Sequence, residues 1–526
     1  MTGVTAYARP GSAVAPRWIS GAAVLLGAAV ALSGQALAST GRPAQAVTWG
    51  SMSLSVYAAS LLVLVGGGRG RWLGLGRWWF GSWTLLWYGV AFGLASLTWA
   101  QAQTGTATQI SLSSVLRALW LVAVGMTLWV IGYLVGPGRP ATHLGKRAVA
   151  ALSLRRTPDV RSLLTPWILY GVGTAARVAT AVTTGRFGYV GEVRSAVISA
   201  SSYHQWLSFL SLFAPLAVAA SALQVYRERI PGARVTMAVL ALAEIVIGAV
   251  AGGKQSFIIT ILAVAIPFTT ARRTMHKGLL AFAMIAFLLV VVPFNQAYRD
   301  AARNGSGTLS TGQAISAGPG ILVQTVTTGD AAGVLSTSTS YMLSRLREID
   351  SPAIIIQRTP TQFAYQSPVQ LIEAPAADLV PRALWPGKPI LDGGYQFGQV
   401  YYQVPANVFT SYAIPPVGDL YRHGGWIPAI MGMFLLGCAA RFLDEALDVT
   451  ANPHAVFLFL LLFPSLVKQE NGWEGMLAGL PGTLLVWLVA TCLTFRRRAR
   501  RSPSPGQIRS TDSAQNGGGS VPDRDP

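Results

Sequence analysis

The chain reads as an all-α polytopic membrane protein with about 12 transmembrane helices and one long extracytoplasmic loop between helices 9 and 10. Three observations predict this class. Of 526 residues, 11% are charged and 52% hydrophobic, and the mean hydropathy is +0.46, which excludes a soluble enzyme. The apolar stretches are each about 17 to 24 residues long, the helix length needed to cross a hydrocarbon core of roughly 30 Å. The net charge of +20 lies between those stretches and on a basic tail. There it serves orientation, so no nucleic-acid partner is expected.

Spans are predicted near 18–38, 47–66, 78–100, 112–135, 163–183, 204–224, 234–251, 257–270, 279–296, 425–441, 455–468 and 475–495. Four regions follow: helices 1 to 9 with short loops over 1–296, a long loop over 297–424, helices 10 to 12 over 425–495, and a tail over 496–526. One alternate set of gaps holds roughly twice the Lys and Arg of the other, counting Arg155, Arg156, Arg272, Arg273 and Arg496 to Arg498. This predicts a plasma (inner) membrane protein with both termini in the cytoplasm and the long loop outside. The first apolar run ends in Ala36-Leu37-Ala38, a candidate cleavage site, although an uncleaved helix is the preferred reading. The tail from Ser502 is rich in Ser, Pro, Gly and Asp, a composition expected to stay disordered. Cys438 and Cys492 both fall in predicted spans and read as small packing residues. No internal repeat is visible, which weakens a transporter built from repeated halves.

The 297–424 segment is too long to be a plain connection and too aromatic to be disordered, with Tyr341, Phe363, Trp385, Tyr401, Tyr402 and Tyr412 among its members. It reads either as a binding substructure or as a cap over the helix ends. Within it, Pro381-Arg382-Ala383-Leu384-Trp385-Pro386-Gly387-Lys388-Pro389 holds two cations on a proline-stiffened turn. A rigid arginine fork with a neighbouring lysine suits a diphosphate. Gly418-Asp419-Leu420-Tyr421-Arg422-His423-Gly424-Gly425 then leads straight into a span. Asp419 and His423 are candidate proton acceptors for a sugar hydroxyl, and an interfacial anchor for the helix is the competing reading. Arg117, Arg177, Glu244 and Lys254 are expected at the outer depth of their segments, as the lining of an outward polar cavity or, for Arg177 and Glu244, as a structural pair.

The stretch at 381–389, the run at 418–425 and the Gly252-Gly253-Lys254-Gln255-Ser256 turn, with the plan of about 12 spans and a late outer loop, resemble the O-antigen polymerase family, the Wzy-type oligosaccharide repeat-unit polymerases. The recognisable motifs cover roughly a quarter of the chain, and His423 departs from the family pattern as it stands after Tyr-Arg. The resemblance implies metal-independent, cofactor-free glycosyl transfer on undecaprenyl-diphosphate-linked oligosaccharides at the outer leaflet, in company with other polysaccharide-assembly proteins. It assigns Arg382, Lys388, Lys254, Arg177 and Arg422 to the diphosphate, Arg382 also to leaving-group stabilisation, and Asp419 or His423 to the base. No metal is expected, since the five histidines are scattered and no paired carboxylate motif occurs. The rival readings are a transporter or lipid-linked oligosaccharide flippase, a lipid-phosphate-sugar-dependent transferase, disfavoured because Ser39 to Val47 carries no acid, and a ligase.

Overall fold

The computed structural model describes residues 43–66, 71–101, 109–152, 156–184, 202–272, 277–303, 311–327, 331–373, 393–405, 411–450 and 452–497, with a few shorter pieces between and before them. Arg382, Lys388, most of the predicted first span and the tail beyond 497 lie outside the described residues.

The chain is nearly all α-helical. The helices that matter here are α1 (Pro43–Gly66), α2 (Phe80–Tyr88), α3 (Leu112–Val135), α4 (Gly138–Leu152), α5 (Leu164–Thr184), α6 (Ser202–Ser211), α7 (Phe213–Leu223), α8 (Ala233–Val250), α9 (Lys254–Arg272), α10 (Lys277–Ala286), α11 (Val292–Arg303), α12 (Thr311–Thr327), α13 (Ala331–Leu346), α14 (Asp350–Arg358), α15 (Gly393–Tyr402), α16 (Pro416–Arg422), α17 (Trp426–Leu447), α18 (Pro453–Phe463), α19 (Gly472–Ala478) and α20 (Leu480–Thr494). The expectation of a purely α fold needs one correction. Two small antiparallel ribbons exist, β1 (Arg156–Val160) with β4 (Phe495–Arg497) and β2 (Arg186–Phe187) with β3 (Val190–Gly191). The first ties the start of α5 to the end of α20, and the buried Val160 and Phe495 hold it against the bundle.

Among the described residues, seven helical stretches are long and apolar enough to cross a membrane: 45–66, 80–99, 112–135, 204–228, 233–250, 426–447 and 472–494. Each coincides with a predicted span. Three more predicted spans are present as shorter apolar helices over 255–271, 287–298 and 453–468. Pro267 sits inside the continuous helix α9, and wide π turns at Phe287–Val291 and Pro464–Lys468 lie within the helical runs of the other two.

Two apolar clusters form the core. One joins α1, α2, α3, α14, α16 and α17 around Tyr88, Phe92, Trp129 and Tyr133. The other joins α5, α7, α8, α9, α18 and α20 around Phe80, Phe457, Phe459 and Trp487. Contact between α3 and α17 relies on glycine, because lipid gives no hydrophobic drive to helix pairing and close backbone approach must supply it. A Cβ at Gly437 would lie 1.9 Å from Trp129 O, and one at Gly132 would lie 2.1 Å from Phe434 O. At one end of this pair Asp444 of α17 caps α2, accepting from Phe80 N at 2.6 Å, Gly81 N at 3.0 Å and the Tyr133 hydroxyl at 2.7 Å. Trp79, at the cap position itself, offers no side-chain acceptor, so the cap comes from across the bundle.

The 297–424 segment is not a separate layer. Among its described residues, α14 and α16 are inserted between the long helices. Glu348 N donates to Ala91 O, halfway along the 80–99 stretch, and Val417 packs against Gly125, halfway along α3.

Candidate functional site

The densest group of buried ionisable side chains forms where three interrupted pieces of chain meet: the turn before α14, the helix α16, and the turn between α18 and α19. Backbone that is not helical needs partners at this depth, and each piece supplies them to another. Ile414 N donates to Glu470 O at 2.9 Å and Gly472 N to Ile414 O at 2.6 Å, a short parallel bridge that holds the approach to α16 against the turn after α18. Ser351 Oγ donates to Ala413 O at 2.5 Å. Gln469 turns back in the left-handed region, accepts from the Tyr88 hydroxyl at 2.7 Å and donates to Leu466 O at 2.8 Å.

Helix α16 begins with Pro416 at its first position and sets Arg422, and His423 at its C-cap, one turn after Asp419 on the same side. Asp419 Oδ1 pairs with Arg422 Nη2 at 2.5 Å, and Asp419 Oδ2 accepts from Trp473 N at 2.8 Å. Gly472 makes room for this carboxylate. Its φ is +68°, and a Cβ there would lie 2.6 Å from Asp419 Oδ2. His423 is fully buried. Its Nδ1 must be the donor to Asp419 O at 2.8 Å, since a carbonyl only accepts, and its Nε2 faces Glu474 Oε1 at 3.3 Å.

Beside this group the turn carries a Lys468–Glu470 ion pair. Glu348 is buried close by, with the Trp87 indole and the Lys468 ammonium as its nearest favourable partners. Burial pushes its carboxyl well above the usual carboxylate range, and the neighbouring Glu470 adds to that. Arg347 grips Asp350 in a fork, Nη2 to Oδ2 at 2.7 Å and Nε to Oδ1 at 3.0 Å. Burial also raises Tyr401, whose hydroxyl meets Thr359 Oγ1 at 2.8 Å.

Of the residues singled out in the sequence, Asp419, Arg422 and His423 stand together. Arg177 does not join them. It pairs with the buried Glu244 at 2.6 Å between α5 and α8, in the second apolar cluster, which is the structural pairing weighed against a cavity. Arg117 is exposed on α3, near Tyr421, so the expected single polar cavity lined by Arg117, Arg177 and Glu244 is not formed among the described residues. Lys254 begins α9. Arg382 and Lys388 lie outside the described residues.

Sequence reasoning passed over Glu348, Arg358, Glu470 and Glu474. A signal for one of them existed: Lys468-Gln469-Glu470-Asn471 interrupts an otherwise apolar run, and four polar residues there mark a break between two helices. Among the described residues, no group of three or more His, Cys, Asp or Glu could hold a metal ion.

A family model described as a domain of unknown function, DUF8712, matches residues 179–450, which takes in α14 and α16 and ends before Glu470. No curated protein and no solved structure matches the chain at a significant level.

Proposed function

We propose that this chain, which belongs to the DUF8712 family, is a multi-pass membrane glycosyltransferase that joins lipid-linked oligosaccharide units on the outer side of a plasma membrane. The observation that carries the reading is the acid, base and cation set on α16: Asp419, Arg422 and His423, with Glu474 against the imidazole. Glycosyl transfer from a lipid diphosphate needs a proton acceptor for the attacking hydroxyl and fixed positive charge for the departing diphosphate. His423 and Glu474 together supply the acceptor, and Arg422 contributes charge with its guanidinium held by Asp419. Arg382 and Lys388 belong to the same proposal as the cations of the proline-rich stretch at 381–389, as do Lys254 and Arg177, the last with its charge already matched by Glu244.

The proposal includes the finer topology: about 12 spans, cytoplasmic termini, and 297–424 entering from the outer side. The ends of three of the long stretches support that parity. Phe80, Tyr133 and Asp444 share one end, and Ser111 and Gln357 share the other.

A second reading, a transporter or flippase for the same lipid-linked substrate, is favoured by one feature. The ionisable group is set among interrupted helices, as substrate sites of transporters are. One experiment separates the two. With the gene deleted, a transferase leaves single repeat units on their carrier at the outer side and no long polymer, whereas a flippase leaves them at the inner side. An unchanged glycan profile removes both.

A further inference from the structure

Arg358 ends α14 and is only 8% exposed, and its Nε and Nη1 meet no acceptor among the described residues. A guanidinium does not shed its proton, so a largely buried one with no counter-charge among the described residues is an unfavourable arrangement that a bound anion would relieve. The second observation is where the helix points it. Helix α14 runs from Glu348, beside Ala91, to Gln357, whose Oε1 accepts from Ser111 N at 2.7 Å. Helix α16 runs from Val417, beside Gly125, toward Tyr421, near Arg117. Both therefore climb toward the same end of α3, side by side, and they touch where Gly418 approaches Ile355 and Pro352, 3.3 Å from a Cβ placed there.

One turn beyond that contact stands Arg358 on the first helix and Arg422 on the second, since residues three or four apart share a helix face. Tyr401 links them: its hydroxyl bonds Thr359, next to Arg358, and it feels the charge of Arg422. Arg422 is matched by Asp419 through Nη2, and its Nε has no hydrogen-bond partner among the described residues. Two guanidinium groups thus hold unused donors beside one tyrosine, at the end of a pair of half-helices.

We propose that Arg358, with Arg422 Nε, is the receptor for a phosphate-class anion that enters from the Ser111 end of α3. Under the glycosyl-transfer reading, on which this identification of the ligand rests, the anion is the diphosphate of the lipid carrier. A planar fork binds two oxygens of a phosphate at once, and this arrangement offers a second cation to the other phosphate.

The test uses the full-length protein in detergent, with inorganic pyrophosphate, farnesyl diphosphate and phosphatidylglycerol as separate probes of binding and thermal unfolding. Arg358→Met should weaken binding of the responding probe by about 30-fold or more, the loss typical for removing one partner of a buried charge pair. Without probe, the same variant should unfold at the wild-type temperature or above it, because an unmatched buried charge is gone. Arg358→Lys should recover part of the binding. A response to pyrophosphate identifies the phosphate groups as sufficient, one to farnesyl diphosphate alone identifies a lipid-linked diphosphate, and one to phosphatidylglycerol alone identifies a bilayer headgroup in the same receptor. The proposal is overturned if Arg358→Met binds every probe as the wild type does, or if it unfolds well below the wild type without probe, since that would show a counter-charge within the protein. Loss of binding in the variant together with an unchanged glycan profile on gene deletion would keep the anion receptor and remove the transferase.

Discussion

His423 Nε2 lies 3.3 Å from Glu474 Oε1 while His423 Nδ1 donates to the Asp419 carbonyl at 2.8 Å. With the Nδ1 proton committed, Nε2 is the imidazole atom that faces the carboxylate, and under the proposed glycosyl transfer these two groups receive the hydroxyl proton. His423→Ala and Glu474→Gln should each lower polymer formation by about 100-fold or more, and the double variant should be no worse than either alone. Measured chain-length profiles at matched protein levels check this. Full-length polymer from His423→Ala would remove the imidazole from the chemistry.

Arg177 and Glu244 form a 2.6 Å pair in which the Glu244 side chain is 2% exposed. Removing one partner of such a pair costs about 3–5 kcal/mol because the other charge is left buried, whereas replacing both with apolar residues is close to neutral. Arg177→Met or Glu244→Leu alone should lower the unfolding temperature of the purified protein, and the double variant should restore it. If the restored double variant still lacks polymer, Arg177 has a role at the substrate beyond its pairing.

The α3–α17 contact has no space for a methyl group at Gly132 or Gly437, where the intruding Cβ would meet backbone oxygen at 2.1 Å and 1.9 Å. Backbone cannot move aside as a side-chain end does, so the helices must separate. Gly437→Ala should destabilise the protein by about 1–3 kcal/mol, as overpacking does, and Gly437→Leu by more. Thermal unfolding in detergent measures it, and an unchanged midpoint for the leucine variant would mean that the two helices are not held at this distance.

Glu348, in the turn before α14, has a carboxyl raised by burial, so the folded protein holds this proton more tightly than the unfolded chain does. The stability it contributes is complete below the pKa of an unfolded glutamate and declines as pH rises from there through the higher folded value. Glu348→Gln should flatten that decline and be more stable than the wild type above it. Chemical unfolding across the pH range tests the sign. A variant less stable than the wild type at every pH would show that the carboxylate's partners outweigh its burial.

The extent to which the site was legible follows from the same residues. Asp419, Arg422 and His423 stood out in the sequence because three ionisable residues immediately before an apolar run are conspicuous, and they are neighbours in space since a helix brings positions three and four apart to one face. Glu474 is 51 positions further on and reaches His423 only because the bridge between Ile414 and Asn471 lays one turn beside the other. No local pattern encodes that bridge.

The helical, apolar character was written in the chain itself, since spanning a bilayer depends on length and composition, and each of the seven long stretches found among the described residues lies where the hydropathy of the sequence puts it. Depth was decided by the tertiary structure. Composition could not show which polar stretches of 297–424 pack between the long helices, so α14 and α16 read as parts of an outer loop, and they pack beside Ala91 and Gly125 at the middle of the bundle. The physical reason is that a short helix can descend to that depth when its flanking backbone and charges find partners on other segments, and those partners are distant in sequence. Pairing decided the arginines in the same way: Arg177 found Glu244 and Arg422 found Asp419, while Arg358 has Nε and Nη1 unpartnered among the described residues.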